Sequence, residues 1–190
     1  MKYFLITLAI LLFVGFSIVS ALAGSYNNLV GLRESARTEL SQVETQLQRR
    51  FDLVPNLVAT VKGAMKQEQA VFGAIAEART KYAGAPAGSS EKLQAANQYE
   101  SALGRLLVVM ENYPQLQSIG TVKDLMVSLE GTENRIGVAR QRYNENVKGY
   151  NQTLQTFPTN IIGGMFGFTQ MSRFESVDEA KVAPVVNFEK

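Results

Sequence analysis

The 190-residue chain has no cysteine and no histidine, and its 19 basic and 17 acidic side chains leave a formal charge of only +2. Thiolate nucleophiles, disulfides, zinc-type Cys/His sites and lipidation at cysteine are thereby excluded, as is the one side chain that titrates near neutral pH. No basic run stands out, so no nucleic-acid partner is expected.

Tyr3 to Ala23 is free of charge. As a helix rising ~1.5 Å per residue it spans roughly 30 Å, the thickness of a bilayer's hydrocarbon core, so residues 3–23 are expected to meet the lipid bilayer. Ala21-Leu22-Ala23 has the small-x-small form of a signal-peptidase site. The apolar run is nevertheless longer than a cleavable signal needs, and helical patterning begins again at Tyr26. A retained signal anchor over residues 1–25 is the favoured reading. The very short leader predicts a cytoplasmic N-terminus, a single pass and the remainder on the extracytoplasmic side. Arg33 and Arg37 just beyond the span weaken the charge bias for that orientation.

The remaining length suits one domain, and the predicted bundle covers residues 26–158. From Tyr26, apolar residues recur three and four apart through Val30, Leu40, Leu47, Phe51, Val54, Val58, Val61, Met65, Phe72 and Ile75 to about Tyr82, the spacing of one helix face. Pro55 interrupts this stretch; it either turns the chain, with Asp52 capping a new helix, or kinks one long helix. Residues 83–90 (AGAPAGSS) read as a loop with Ser90 as the next cap. A helix follows on Leu93, Ala96, Tyr99, Leu103, Leu106 and Met110, and the chain loops again from Tyr113 to Gly120. The last long helix, about Thr121 to Phe157, carries Val122, Met126, Leu129, Ile136, Tyr143, Val147, Tyr150 and Leu154. Matching of lengths favours an all-α fold: a single N-terminal transmembrane helix, then an antiparallel up-down four-helix bundle. The alternative is three long helices with the first kinked at Pro55. Residues 159–190 lose the period and are expected to form an irregular or partly disordered tail, docking through Phe168 and Phe174.

No catalytic, cofactor or metal residues emerge. Glu130 and Glu133 lie three apart, but the Glu-x-x-His partners of a diiron bundle are missing, so a carboxylate-only metal or enzymatic bundle is only the runner-up function. Glu133 and Arg140 fall on the apolar stripe of the last helix, where a charge must be paired. Arg33, with Arg37 and Glu44, is the expected partner on the first helix. Arg49, Arg50, Asp52 and Asn56 cluster around Pro55 and form a candidate partner-binding surface. Three Tyr-Asn pairs, at 26, 143 and 150, read as helix–helix hydrogen bonding or as a partner strip. The expected function is a non-enzymatic structural or adaptor domain bound to another envelope protein, with a homo-oligomeric scaffold as a further alternative.

The segments YNNLVGLR (26–33), QLQRRFDLVPNLVATVKG (46–63), EAR (77–79), LEGTENR (129–135), ARQRY (139–143), Tyr150-Asn151, Phe157-Pro158 and Phe174-Glu175 together resemble the LemA family of bacterial membrane-associated proteins, over roughly Tyr26 to Phe188. The resemblance implies a short membrane segment in the bacterial inner membrane, an extracytoplasmic or periplasmic helical domain with a four-helix core, and no established biochemical activity. One departure is at Thr38–Leu40, where members commonly carry tryptophan and this chain has none. No residue assigns the chain to a specialised branch, the magnetosome-associated one included.

Overall fold

The computed structural model describes residues 2–174. Among these residues lie six helices and no strand: α1 Lys2–Val61, α2 Gln69–Gly84, α3 Ser90–Met110, α4 Pro114–Gln117, α5 Gly120–Gln155 and α6 Thr159–Met165. The all-α expectation holds.

Pro55 does not turn the chain; α1 passes through it. Nor does the first helix run on to Tyr82. The break falls at residues 62–68, beside Gly63. The physical reason is the apolar register, which continues across the proline as Phe51, Val54, Leu57 and Val61, all buried. Four buried side chains at about 1.5–3 kcal/mol each outweigh the roughly 3 kcal/mol that an internal proline costs. The apolar run joins the same helix without a break at Ala23. From Tyr26 to Val61, α1 therefore supplies 36 residues, the length of α5. The cap of α3 is Ser89, one residue before the expected Ser90, and its side chain accepts the Lys92 N–H at 3.1 Å.

Two compact units divide the chain, Met1–Glu39 with Arg142–Met171 and Leu40–Gln141 with Ser172–Lys190. In the first, residues 2–23 are exposed along their whole length, and α1 is the one described helix long and apolar enough to cross a membrane. Beyond that run, Leu29, Tyr150, Leu154 and Phe168 form a core, with Tyr26, Val30, Leu32 and Met171 packed against it. Two side chains of α5 hold the segment that follows α6. The Tyr150 hydroxyl donates to the Thr169 carbonyl at 2.8 Å. Asn151 donates to the Met171 carbonyl and accepts its N–H, at 2.8 and 2.9 Å. The Tyr150-Asn151 pair thus serves internal hydrogen bonding. Gly163 lets α6 approach Leu154, since a Cβ there would collide with the leucine Cδ1. Residues 159–174 of the expected irregular tail are therefore a helix and a strapped segment, with Phe168 and Phe174 both buried. Residues 175–190 lie outside the described residues.

In the second unit, α1 buries Leu40, Val43, Leu47, Arg50, Val54, Leu57 and Val61 in strict alternation of three and four. Phe51 of α1 stacks edge-on against Tyr82 of α2 and Tyr99 of α3, at centroid distances of 4.7 and 4.4 Å. The Tyr113 hydroxyl donates to Glu68 at 3.3 Å, tying the loop before α4 to the turn at 62–68.

Candidate functional site

The second unit concentrates its chemistry in charges held among apolar side chains. Arg50 is only 1% exposed, and a guanidinium taken so far from water requires partners on all sides. It finds three. Its Nη2 pairs with Glu133 of α5, its Nη1 lies 3.3 Å from Glu100 of α3, and its Nε donates to the Thr132 hydroxyl at 3.3 Å. Thr132 in turn donates to the Leu129 carbonyl at 2.7 Å. The second oxygen of Glu100 accepts from Arg140 of α5 at 2.8 Å, and the Arg140 guanidinium lies 4.6 Å from the Phe174 ring centroid. Glu100 therefore bridges two arginines of two helices. Burial pushes its carboxyl above the usual range, against the downward pull of Arg140 and Arg50.

This arrangement corrects the expected charge pairing. Glu133 and Arg140 are paired, as their places on the stripe demand, but through Arg50 and Glu100. Arg33 belongs to the other unit, where it lies 3.8 Å from Glu34 and its guanidinium covers the Phe168 ring at 4.7 Å. Glu44 pairs with Lys92 at 3.7 Å. The cluster around Pro55 also divides. Arg49, Asp52 and Asn56 are exposed, with Gln48 donating to Asp52 at 2.9 Å; Arg50 faces inward and is withdrawn from that surface. The reason is periodicity: Arg50 stands three after Leu47 and four before Val54, on the buried face of α1.

Glu100 is not among the residues that the sequence singles out as sites. Its signal is nonetheless present, four after Ala96 and three before Leu103, on the stripe that buries α3.

Beside Arg50 and Glu133 a cleft of about 420 Å³ opens between α1, α3 and α5. Leu103, Leu107, Met126, Val127 and Leu129 provide its apolar lining, and Arg50, Lys123, Glu130 and Glu133 its charged lining. Among the described residues, no group of three or more acidic side chains is placed to hold a metal ion. Burial also raises the phenols of the second unit. Tyr82 is pushed up to about 12, chiefly by desolvation and further by Glu44. Tyr99 is shifted upward by desolvation too, and its buried hydroxyl has no hydrogen-bond partner among the described residues.

An exposed apolar helix continuous with an all-helical fold is the architecture of a membrane-associated helical protein. The chain belongs to the LemA family, whose profile it matches over residues 39–188. It is similar to Magnetosome protein MamQ 1 and Magnetosome protein MamQ 2 of Paramagnetospirillum magneticum (strain ATCC 700264 / AMB-1). Each is 29% identical over 182 residues, covering 83% of this chain and 67% of the relative. Magnetosome protein MamQ of Magnetospirillum gryphiswaldense is 28% identical over 181 residues, covering 82% of this chain and 66% of the relative, slightly under two thirds of its length.

Proposed function

We propose that this protein is a membrane-tethered, non-enzymatic structural or adaptor module, retained by residues 3–23 and displaying its folded part outside the cytoplasm as an up-down bundle of α1, α2, α3 and α5. The observation that carries this reading is the helical continuity of α1. An apolar run exposed on every side passes without interruption into a helix whose next turns are buried in a folded core. An apolar helix exposed all round is stable in lipid and costly in water. The contacts of Arg50, Phe51, Glu100 and Tyr82, which engage all four long helices, support the bundle. The relatives named as magnetosome proteins support a structural role over a catalytic one.

The partner in this reading is another envelope protein. Arg49, Asp52 and Asn56 offer it exposed polar groups, and the cleft beside Glu133 offers an apolar floor rimmed by both signs of charge, the composition of a protein-binding surface. In-cell crosslinking from positions 49 and 56, read by mass spectrometry, is expected to return a second envelope protein. Crosslinks to the same chain alone would replace the adaptor with a homo-oligomeric scaffold. Stoichiometric metal in the purified native chain, lost in Glu130→Gln or Glu133→Gln, would replace it with a metal-binding bundle. Orientation is tested by fusing to Lys190 a reporter active only outside the cytoplasm; a silent fusion in membrane fractions reverses it.

A further inference from the structure

One apolar surface of the first unit is left uncovered. Ile161 and Met165 stand four apart on α6, Phe157 lies in the turn before it and Phe166 at its C-terminal end; Phe157, Ile161, Met165 and Phe166 are 80%, 52%, 73% and 61% exposed. The opposite side of α6 is packed, with Thr159, Ile162 and Gly163 buried. Four large apolar groups so exposed on and around one short helix are costly in water, at ~25 cal/mol per Å² of apolar surface.

Its location identifies what covers it. The Phe166 ring lies 4.8 Å from the ring of Tyr26. Tyr26 is three residues past Ala23, about 4.5 Å beyond the end of the apolar run at ~1.5 Å per residue. The surface therefore adjoins the point where α1 leaves the apolar run of residues 3–23. Charge is also missing from both strands of chain that meet there. None occurs from Tyr3 to Leu32, and none from Gly149 to Ser172. Such a zone suits the boundary between headgroups and acyl chains, where charge is disfavoured and aromatic rings such as Tyr26 gather. We propose that Phe157, Ile161, Met165 and Phe166 form a foot that lies in this boundary of the bilayer crossed by α1, making the lipid surface a second attachment site for the folded part. Interfacial apolar faces insert about 5–10 Å into that region. This proposal rests on the membrane reading of residues 3–23.

The chain has no tryptophan, so a single introduced one reports its own surroundings. Full-length Met165→Trp, Phe13→Trp and Arg142→Trp variants are reconstituted in phosphatidylcholine vesicles carrying bromine on the acyl chains. Arg142 is an exposed residue of α5 about 18 Å along the helix from Leu154. The expected result is loss of emission from Phe13→Trp and Met165→Trp, with Arg142→Trp unchanged. Loss from Phe13→Trp alone overturns the foot and leaves the anchor standing. No loss from either overturns both. A Met165→Trp probe shielded from bromine and from an aqueous quencher alike is covered by protein, a second copy included, and also overturns the proposal. Ile161→Trp, checked for unchanged helicity, serves as an independent second position.

Discussion

Arg33 and Arg50 both fall on the buried stripe of α1, yet the two units treat them differently. In the second unit Arg50 is wholly enclosed and meets Glu100, Glu133 and Thr132. In the first, the Arg33 side chain keeps about a third of its surface in solvent, and a ring takes the place of a cross-helix carboxylate. There Tyr150 and Asn151 make neutral cross-links, to backbone groups of Thr169 and Met171. The difference teaches that a charge on an apolar stripe becomes structural only where another helix presents the complementary carboxylate at the same level. In the first unit the segment after α6 is fastened by hydrogen bonds that leave no ion to desolvate.

The comparison breaks most severely at Arg50. Arg50→Ala is expected to cost about 3–5 kcal/mol, because Glu100 is left buried with half its pairing. Arg50→Met combined with Glu100→Gln should recover much of the loss. Urea unfolding of the detergent-solubilised chain in a double-mutant cycle measures both, and a cost for Arg50→Ala below about 1 kcal/mol would place its charge in water.

Alkaline pH tests the buried phenols of the two units together. Tyr82 in the second and Tyr143 in the first are both raised to about 12, from an ordinary value near 10, with desolvation the main cause. Below pH 10 each phenol is protonated whether the chain is folded or not, so its full contribution is present. Above pH 10 the unfolded chain loses these protons first, and stability falls until the folded phenols ionise near pH 12. The gap between folded and unfolded phenols sets an upper bound of about 3 kcal/mol for each tyrosine, which solvent near the ring edge reduces by screening. Melting followed across pH 9–12 should show this decline, and Tyr82→Phe should make it shallower.

The neutral straps of the first unit should matter less. Asn151→Ala removes two hydrogen bonds to Met171 and is expected to cost about 1–3 kcal/mol, with faster amide exchange at Met171. An unchanged exchange rate would mean that the segment after α6 is held by Phe168 packing instead. Smallest is Arg49→Glu, an exposed change expected to shift stability by less than about 0.5 kcal/mol. In the adaptor reading it weakens partner crosslinking without unfolding the domain.

Much of this was legible in the residues. Charge-free length disclosed the exposed apolar helix, and three-four spacing disclosed the buried faces of α1, α3 and α5. Glu133 and Arg140 announced their need for partners by lying on that spacing. What escaped was the identity of those partners. Spacing within a helix gives a side chain's face; its opposite number depends on how two helices slide past each other, which residues in separate segments do not encode locally. Pro55 misled for a related reason. Its intrinsic penalty is visible at one position, while the burial that offsets it is distributed over Phe51, Val54, Leu57 and Val61. The tail misled because α6 is short and glycine-bearing. Gly163 reads as a breaker in isolation, yet it is the contact that admits α6 against Leu154.

The unbroken passage of α1 through Ala23 also has a mechanical consequence. A helix has no swivel, so the direction in which Leu29 and Ala36 point fixes, seven residues at a time, the azimuth of Leu22, Gly15 and Leu8. In the membrane reading the two ends form one shaft. A neighbour that grips the Gly15 side within the lipid therefore sets the compass bearing of Arg33 in water, and torque applied at either end is felt at the other.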